Sequence, residues 1–218
     1  MKKLMTLMFF FLMVTSVLTG CSGNDNSYEK KTYLSKYVQI SQIYIDVRDR
    51  QVEVIPSSDE QIRIDYYENS KEYYNISVSE ENALVMTPVY NKDWTDFIGG
   101  KASADVREII IQVPETLLDV LSISTTNEDI SIVPLTIQKA MLKTNGGNIF
   151  FEQLNVGNEM ILDVKNGNIS GILSGSFDDY AISCTIKKGK TNLPSDKNNG
   201  SKKLSVTANN GDVMIDIN

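Results

Sequence analysis

From Leu121 onward, apolar residues recur at every second position in short runs, and each run leads into a turn rich in Asn, Gly or Asp. The turns read TTNEDISI, TNGGNIFF, KNGNISGI and NNGDVMIDI, with KKGKTNL as a degenerate copy. Anchored on the residue that follows the turn, the copies align at Ile130, Ile149, Ile169, Thr191 and Val213, in steps of 19, 20, 22 and 22 residues. Nine, seven and five positions earlier stand Leu121, Ile123, Thr125, then Ala140, Leu142, Thr144, then Met160, Leu162, Val164. Ile182, Cys184, Ile186 and Leu204, Val206, Ala208 complete the pattern. Twelve of these fifteen are aliphatic, Met or Ala, and their step of two places each set on one face of a strand. Two positions past the anchors come Ile132, Phe151, Gly171, Leu193 and Ile215. The anchors are defined by the turn alone, so agreement at the other offsets is an independent sign of a repeat.

An earlier copy uses Val52 as anchor, with Ile43, Ile45 and Val47 before it and Val54 after it. Further alternating runs are QIRIDYY from Gln61, YYNISVS from Tyr73, NALVMTPV from Asn82 and EIIIQV from Glu108. Asn91 to Asp105 breaks the alternation and reads as a long loop. The one helix-like stretch, TIQKAM from Thr136, is too short and falls inside the repeat. The pattern predicts an all-β chain: a parallel β-solenoid of roughly 20–22-residue coils with an irregular N-terminal strand region. A third side shows only at Leu135, Ile137 and Leu154, Val156, and evenly spaced short strands also fit an antiparallel β-sandwich. Gly147, Gly167, Gly189 and Gly211 share one offset, where Glu128 alone departs, so each is expected to turn a corner at positive φ.

The N-terminus follows different rules. Lys2 and Lys3 precede an uncharged, mostly apolar run from Leu4 to Leu18. A bilayer-spanning helix needs about 20 apolar residues, so this run has the length of a signal-peptide core. It ends in Leu18-Thr19-Gly20-Cys21, which resembles the lipobox of bacterial lipoproteins. That resemblance implies a diacylglycerol on the Cys21 thiol, cleavage between Gly20 and Cys21, and an N-acyl chain on the new terminus. Each buried methylene contributes about 0.8 kcal/mol, so two or three chains hold a protein firmly to a membrane. The expected organisation is a signal peptide over 1–20, a polar tether over 21–36 and a domain over 37–218. The address is then the extracytoplasmic face of a cell membrane, held by lipid.

Composition narrows the function. Removal of the first twenty residues takes the formal charge from −7 to −9, which disfavours nucleic acid as a partner. There is no histidine, so neither a Ser-His-Asp nor a Cys-His arrangement can form. With Cys21 lipidated, Cys184 is left without a disulfide partner, and its register places it in the core. The turns lack the G-G-x-G-x-D pattern of calcium-binding coils; no metal and no cofactor beyond the covalent lipid are expected. Asp178-Asp179-Tyr180 reads as a solvated surface pair, and the chain is not expected to be an enzyme.

The run IIIQVP, LLDVLSISTTNEDISI, the G-N-I and G-D-V turns and the closing VTANNGDVMIDI carry a family likeness. They resemble a bacterial family of extracytoplasmic candidate adhesins, formally a domain of unknown function, over Ile40 to Ile217. The resemblance implies a β-solenoid with a non-catalytic adhesive or scaffold role at the cell surface. Glu128-Asp129 and Lys190-Thr191 depart from the family's turn. Tyr66, Tyr67, Tyr73, Tyr74, Tyr90, Trp94 and Phe97 fall within 32 residues, and Tyr and Trp suit protein and glycan interfaces. The Tyr and Trp of that stretch form the candidate binding patch for a cell-surface protein or glycan; the same side chains could instead cap the core. The alternative function is an accessory protein of an envelope-stress or transport system.

Overall fold

The computed structural model describes residues 27–35, 40–92, 101–114 and 118–218. Gly20, Cys21, Trp94 and Phe97 lie outside the described residues.

Period-two alternation becomes strand throughout. β1 (Glu29–Leu34), β2 (Gln42–Asp46), β3 (Gln51–Pro56), β4 (Arg63–Glu68), β5 (Glu72–Val78), β6 (Ala83–Tyr90) and β7 (Glu108–Val113) form the first half. β8 (Leu118–Thr125), β9 (Ile130–Ile132), β10 (Thr136–Thr144), β11 (Ile149–Asn166) and β12 (Ile169–Leu173) follow. β13 (Tyr180–Lys188), β14 (Asp196–Lys197), β15 (Lys202–Asn210) and β16 (Val213–Ile217) close the chain. TIQKAM lies in β10, as strand.

The pairing is mostly parallel and in register. One layer, sheet I, runs β1-β4-β7-β3-β9-β11-β12-β16, with Thr191 bridged beyond β16. The other, sheet II, runs β5-β6-β2-β8-β10-β11-β15-β13-β14. β11 serves both, its start beside β9 and its end beside β10. Among the described residues, antiparallel pairs occur only towards the two ends: β1–β4, β4–β7 and β5–β6 at one, β13–β14 at the other. The result is an all-β fold dominated by a large parallel sheet, without the antiparallel body of a sandwich.

Each coil consists of a sheet II strand, a turn and a sheet I strand. Identical offsets stack: Ile43, Leu121, Ala140, Met160 and Leu204 stand side by side in sheet II. Val52, Ile130, Ile149, Ile169 and Val213 do so in sheet I. All ten are buried, so the stacked rows are the core. The fit is steric as well as apolar. A Cβ on Gly171 would strike the Phe151 ring on the neighbouring coil, so a large and a small residue share that space.

Coil order departs from sequence order at both ends. β6 lies outside β2 and β7 outside β3, with residues 91–107 between them in the chain. At the other end the final coil, β15 and β16, is inserted inward of the coil of β13 and Thr191. The stack therefore reads Ile169, Val213, Thr191, where chain order would give Ile169, Thr191, Val213.

The turns record that order in hydrogen bonds. Asp129 Oδ1 accepts from Asn148 N, Asn148 Oδ1 from Asn168 N, Asn168 Oδ1 from Asp212 N and Asp212 Oδ1 from Lys190 N, all at 2.7–2.9 Å. A side-chain acceptor is needed wherever another coil follows. Lys190 is the last in space and has none to serve, which explains why its copy departs from the repeat.

Two expectations are corrected. Gly167, Gly189 and Gly211 have φ of +154°, +138° and +146°, but Gly147 does not share the positive φ. What requires glycine at Gly147 is close approach, because a Cβ there would run into the Glu128 carbonyl. The segment read as tether, 21–36, contains β1, an edge strand paired with β4 and packed on the core mainly through Tyr33. One apolar contact among charged neighbours leaves too little alternation to mark a strand in sequence.

Candidate functional site

The aromatic-rich stretch lies on β4, β5 and β6, at the end of the stack where β1 also lies. Alternation splits it. Tyr66 and Tyr74 turn inward, pack against the core and meet edge to face with centroids 5.3 Å apart. Tyr73 pairs with Val89 on the opposite face of β5 and is 40% exposed. Tyr90 is equally exposed and lies near the cations of Arg48 and Lys92, each just under 6 Å from the ring centroid. Tyr67 is half-buried beside Lys30 of β1. The sequence-predicted tyrosines thus divide between a cap over the core end, Tyr66 and Tyr74, and separate outer positions at Tyr67, Tyr73 and Tyr90.

Beneath Tyr90 sits a polar group that the sequence reading missed. Glu72 is directly opposite Tyr90 in the β5–β6 pair and is buried. Its carboxylate receives Arg50 Nη2 at 2.8 Å, together with the Tyr28 hydroxyl and the Lys92 ammonium. Burial alone would raise the Glu72 carboxyl, but the bonds from Lys92, Tyr28 and Arg50 outweigh it and hold it below its ordinary value. Burial also works against the Arg50 charge, yet Tyr74 and Glu72 more than offset this and hold it above its usual value. Burial pushes Tyr74 up to about 12, and burial with the Glu72 bond does the same to Tyr28. A signal for this group did exist: Arg50 stands two before Val52, at the offset that Gly occupies in later copies. At this offset the chain carries a long side chain that reaches the Glu72 carboxylate.

A carboxylate so fully engaged is suited to holding the β2–β3 turn, β5, the segment after β6 and the segment before β1 together. Arg107 and Glu128 form a similar ion pair, with Lys101 3.6 Å from Glu128. Glu128, the departure from the Gly offset, therefore has a partner in residues 91–107. Among the described residues no three His, Cys, Asp or Glu stand together as a metal-ligand set.

The other singled-out residues have local roles. Asp179 accepts from Ser176 N at 2.9 Å, and Ser176 Oγ accepts from Asp178 N, so this acidic pair caps a short 3-10 turn. Tyr180 is fully buried and donates to the Ser174 carbonyl at 3.0 Å. Cys184 is buried in register with Val206; its thiol is pushed up by burial and lies 3.9 Å from Thr191 Oγ1.

Comparison with known proteins agrees with this architecture. The family described as Toastrack DUF4097 matches residues 40–218. A crystal structure of a candidate cell adhesion protein from Clostridium sporogenes superimposes with a TM-score of 0.56 at 10% identity, covering 87% of this chain and 100% of that one. A candidate adhesin from Bacteroides fragilis gives a TM-score of 0.35 at 14% identity, covering 87% and 97%. No curated protein matches the chain.

Proposed function

We propose, from the premise that this chain belongs to the Toastrack DUF4097 family, that it is a lipid-anchored surface module whose β-solenoid acts by contact and not by catalysis. The observation that carries the reading is the position of β1, the first strand after the lipobox-like segment and the outermost strand of sheet I. A lipid on Cys21 would be attached at that end. Strands in a sheet are about 4.8 Å apart, so the eight spacings from β1 to Thr191 put the opposite end about 40 Å further on.

Contact is favoured over chemistry because the buried charges, Arg50 and Glu72, are committed to each other, and the chain has no histidine to act as a base. Relatedness in fold to a candidate cell adhesion protein supports the same direction. The test is metabolic labelling with fatty acid in cells producing the full chain or its Cys21→Ser variant. Label in the membrane-associated wild type and none in the variant is expected. Equal labelling, or equal release of both proteins, overturns the anchor.

A further inference from the structure

Two series of turn hydrogen bonds run in one direction along the stack, whereas Asn145 N to Thr126 O and Asn166 N to Asn145 O, both at 3.0 Å, run the other way. Val52 N donates to Asp129 O, Ile130 N to Asn148 O, Ile149 N to Asn168 O, Ile169 N to Asp212 O and Val213 N to Lys190 O, at 2.8–3.0 Å. A second series does likewise: Gly167 N donates to Asn210 O and Gly211 N to Lys188 O, both at 2.9 Å. Every donor of these two series points towards the end of the stack formed by Gly189 and Thr191. These two are next in their series, and among the described residues no coil lies beyond them. Among the described residues, neither Gly189 N nor Thr191 N has a protein acceptor. Both residues are exposed. Two exposed N–H groups without a protein acceptor leave a local partial positive charge at this edge.

Full charges agree. Residues 180–218 contain six Lys (187, 188, 190, 197, 202 and 203) against three Asp (196, 212 and 216), a net +3; the rest of the chain is then −10 against the total of −7. Lys188 and Lys190 flank Gly189 in the chain, Lys187 is adjacent, and all three are exposed. None of these three is in an ion pair among the described residues. Asp212 is the carboxylate below this turn, and its Oδ1 is engaged by Lys190 N at 2.8 Å. Lys190 is therefore doubly informative: it departs from the repeat where no acceptor is needed, and it adds a cation where donors are left over.

We propose that this end of the stack is an anion site for a phosphate group, held by the Gly189 and Thr191 N–H groups and by Lys187, Lys188 and Lys190. Phosphate suits the arrangement because several oxygens can take the two backbone donors while others face the ammonium groups. Inorganic phosphate, a soluble phosphate-bearing polymer and an anionic lipid headgroup share that chemistry. The site stands at the opposite end from β1 and does not depend on the lipid anchor.

The test uses the full chain in a non-ionic detergent, labelled with 15N-glycine and 15N-threonine and titrated with inorganic phosphate at constant ionic strength. Saturable shifts of the Gly189 and Thr191 amides are expected, with Gly167 and Gly211 unmoved. Lys188→Gln with Lys190→Gln should weaken binding roughly tenfold, the scale for hydrogen bonds to charged groups, without changing the thermal midpoint. Co-sedimentation with phosphatidylglycerol vesicles, lost in that variant, would identify a lipid headgroup as the source. Saturable phosphate binding without co-sedimentation would assign the source to soluble phosphates. Non-saturating shifts, or the same affinity in wild type and variant, overturn the site.

Discussion

The side chain of Asn192 pairs with the backbone of Ile215 as a neighbouring strand would. Its Oδ1 accepts the Ile215 N–H at 2.9 Å, and its Nδ2 donates to the Ile215 carbonyl at 2.9 Å and to Asp216 Oδ1 at 3.1 Å. Thr191 bridges Val213, and the amide of Asn192 then covers the next edge position of β16. Exposed strand edges recruit other chains, so this contact blocks that edge as well as stabilising the fold. Asn192→Leu should lower stability by about 1 kcal/mol, the net scale of such hydrogen bonds, and raise self-association. Urea unfolding and light scattering after size exclusion read the two effects. An unchanged midpoint with an unchanged mass contradicts the edge-covering role.

Neighbours in a strand have opposite fates here. Ile169 lies in the core between Ile149 and Val213, whereas Ser170 faces out between Phe150 and Met214. Ile169→Asp introduces an unpaired buried charge and should cost about 4 kcal/mol or more, while Ser170→Asp should stay within about 0.5 kcal/mol. Chemical denaturation of both variants checks this; equal midpoints would refute the register.

Alkali should unfold the protein through its tyrosines. Tyr28, Tyr74 and Tyr180 are each raised from an ordinary 10.0 to about 12, in every case chiefly by burial. A folded pKa above the unfolded one means the proton is held more tightly in the native state. The associated stability is complete below pH 10 and is lost as pH rises from 10 through about 12. Urea midpoints measured between pH 8 and pH 11.5 should fall across the upper part of that range, and Tyr74→Phe should shallow the fall. A variant with the same slope as wild type would show that Tyr74 is not one of the groups responsible.

Much of the stacking register was legible in the sequence, because side-chain period and turn residues are local properties. The alignment of Leu121, Ala140, Met160 and Leu204 follows from counting back from the turns. Order was not legible in the same way. Where a coil stacks depends on the route between coils, and β14 carries the chain across an edge before β15 enters the sheet. Even so, Lys190 and Arg50 marked the exceptions: each stands where the repeat calls for another residue type, and each lies towards an end of the stack. The candidate tyrosines were visible as composition, but their division between cap and surface follows from strand alternation on β4, β5 and β6, and the Glu72 network from pairing of distant segments.

Coil order is the claim on which the basic end and its outward N–H groups rest, and a disulfide can read it. Ser170 and Met214 are register partners on adjacent parallel strands, about 4.8 Å apart and within reach of a disulfide. Asn192 follows Thr191, one strand further out, roughly 10 Å from Ser170 and beyond that reach. In a Cys184→Ser background, mild oxidation should cross-link the Ser170→Cys, Met214→Cys pair and leave the Ser170→Cys, Asn192→Cys pair open. Cross-linking of the second pair but not the first would place the coils in chain order and remove the inserted final coil.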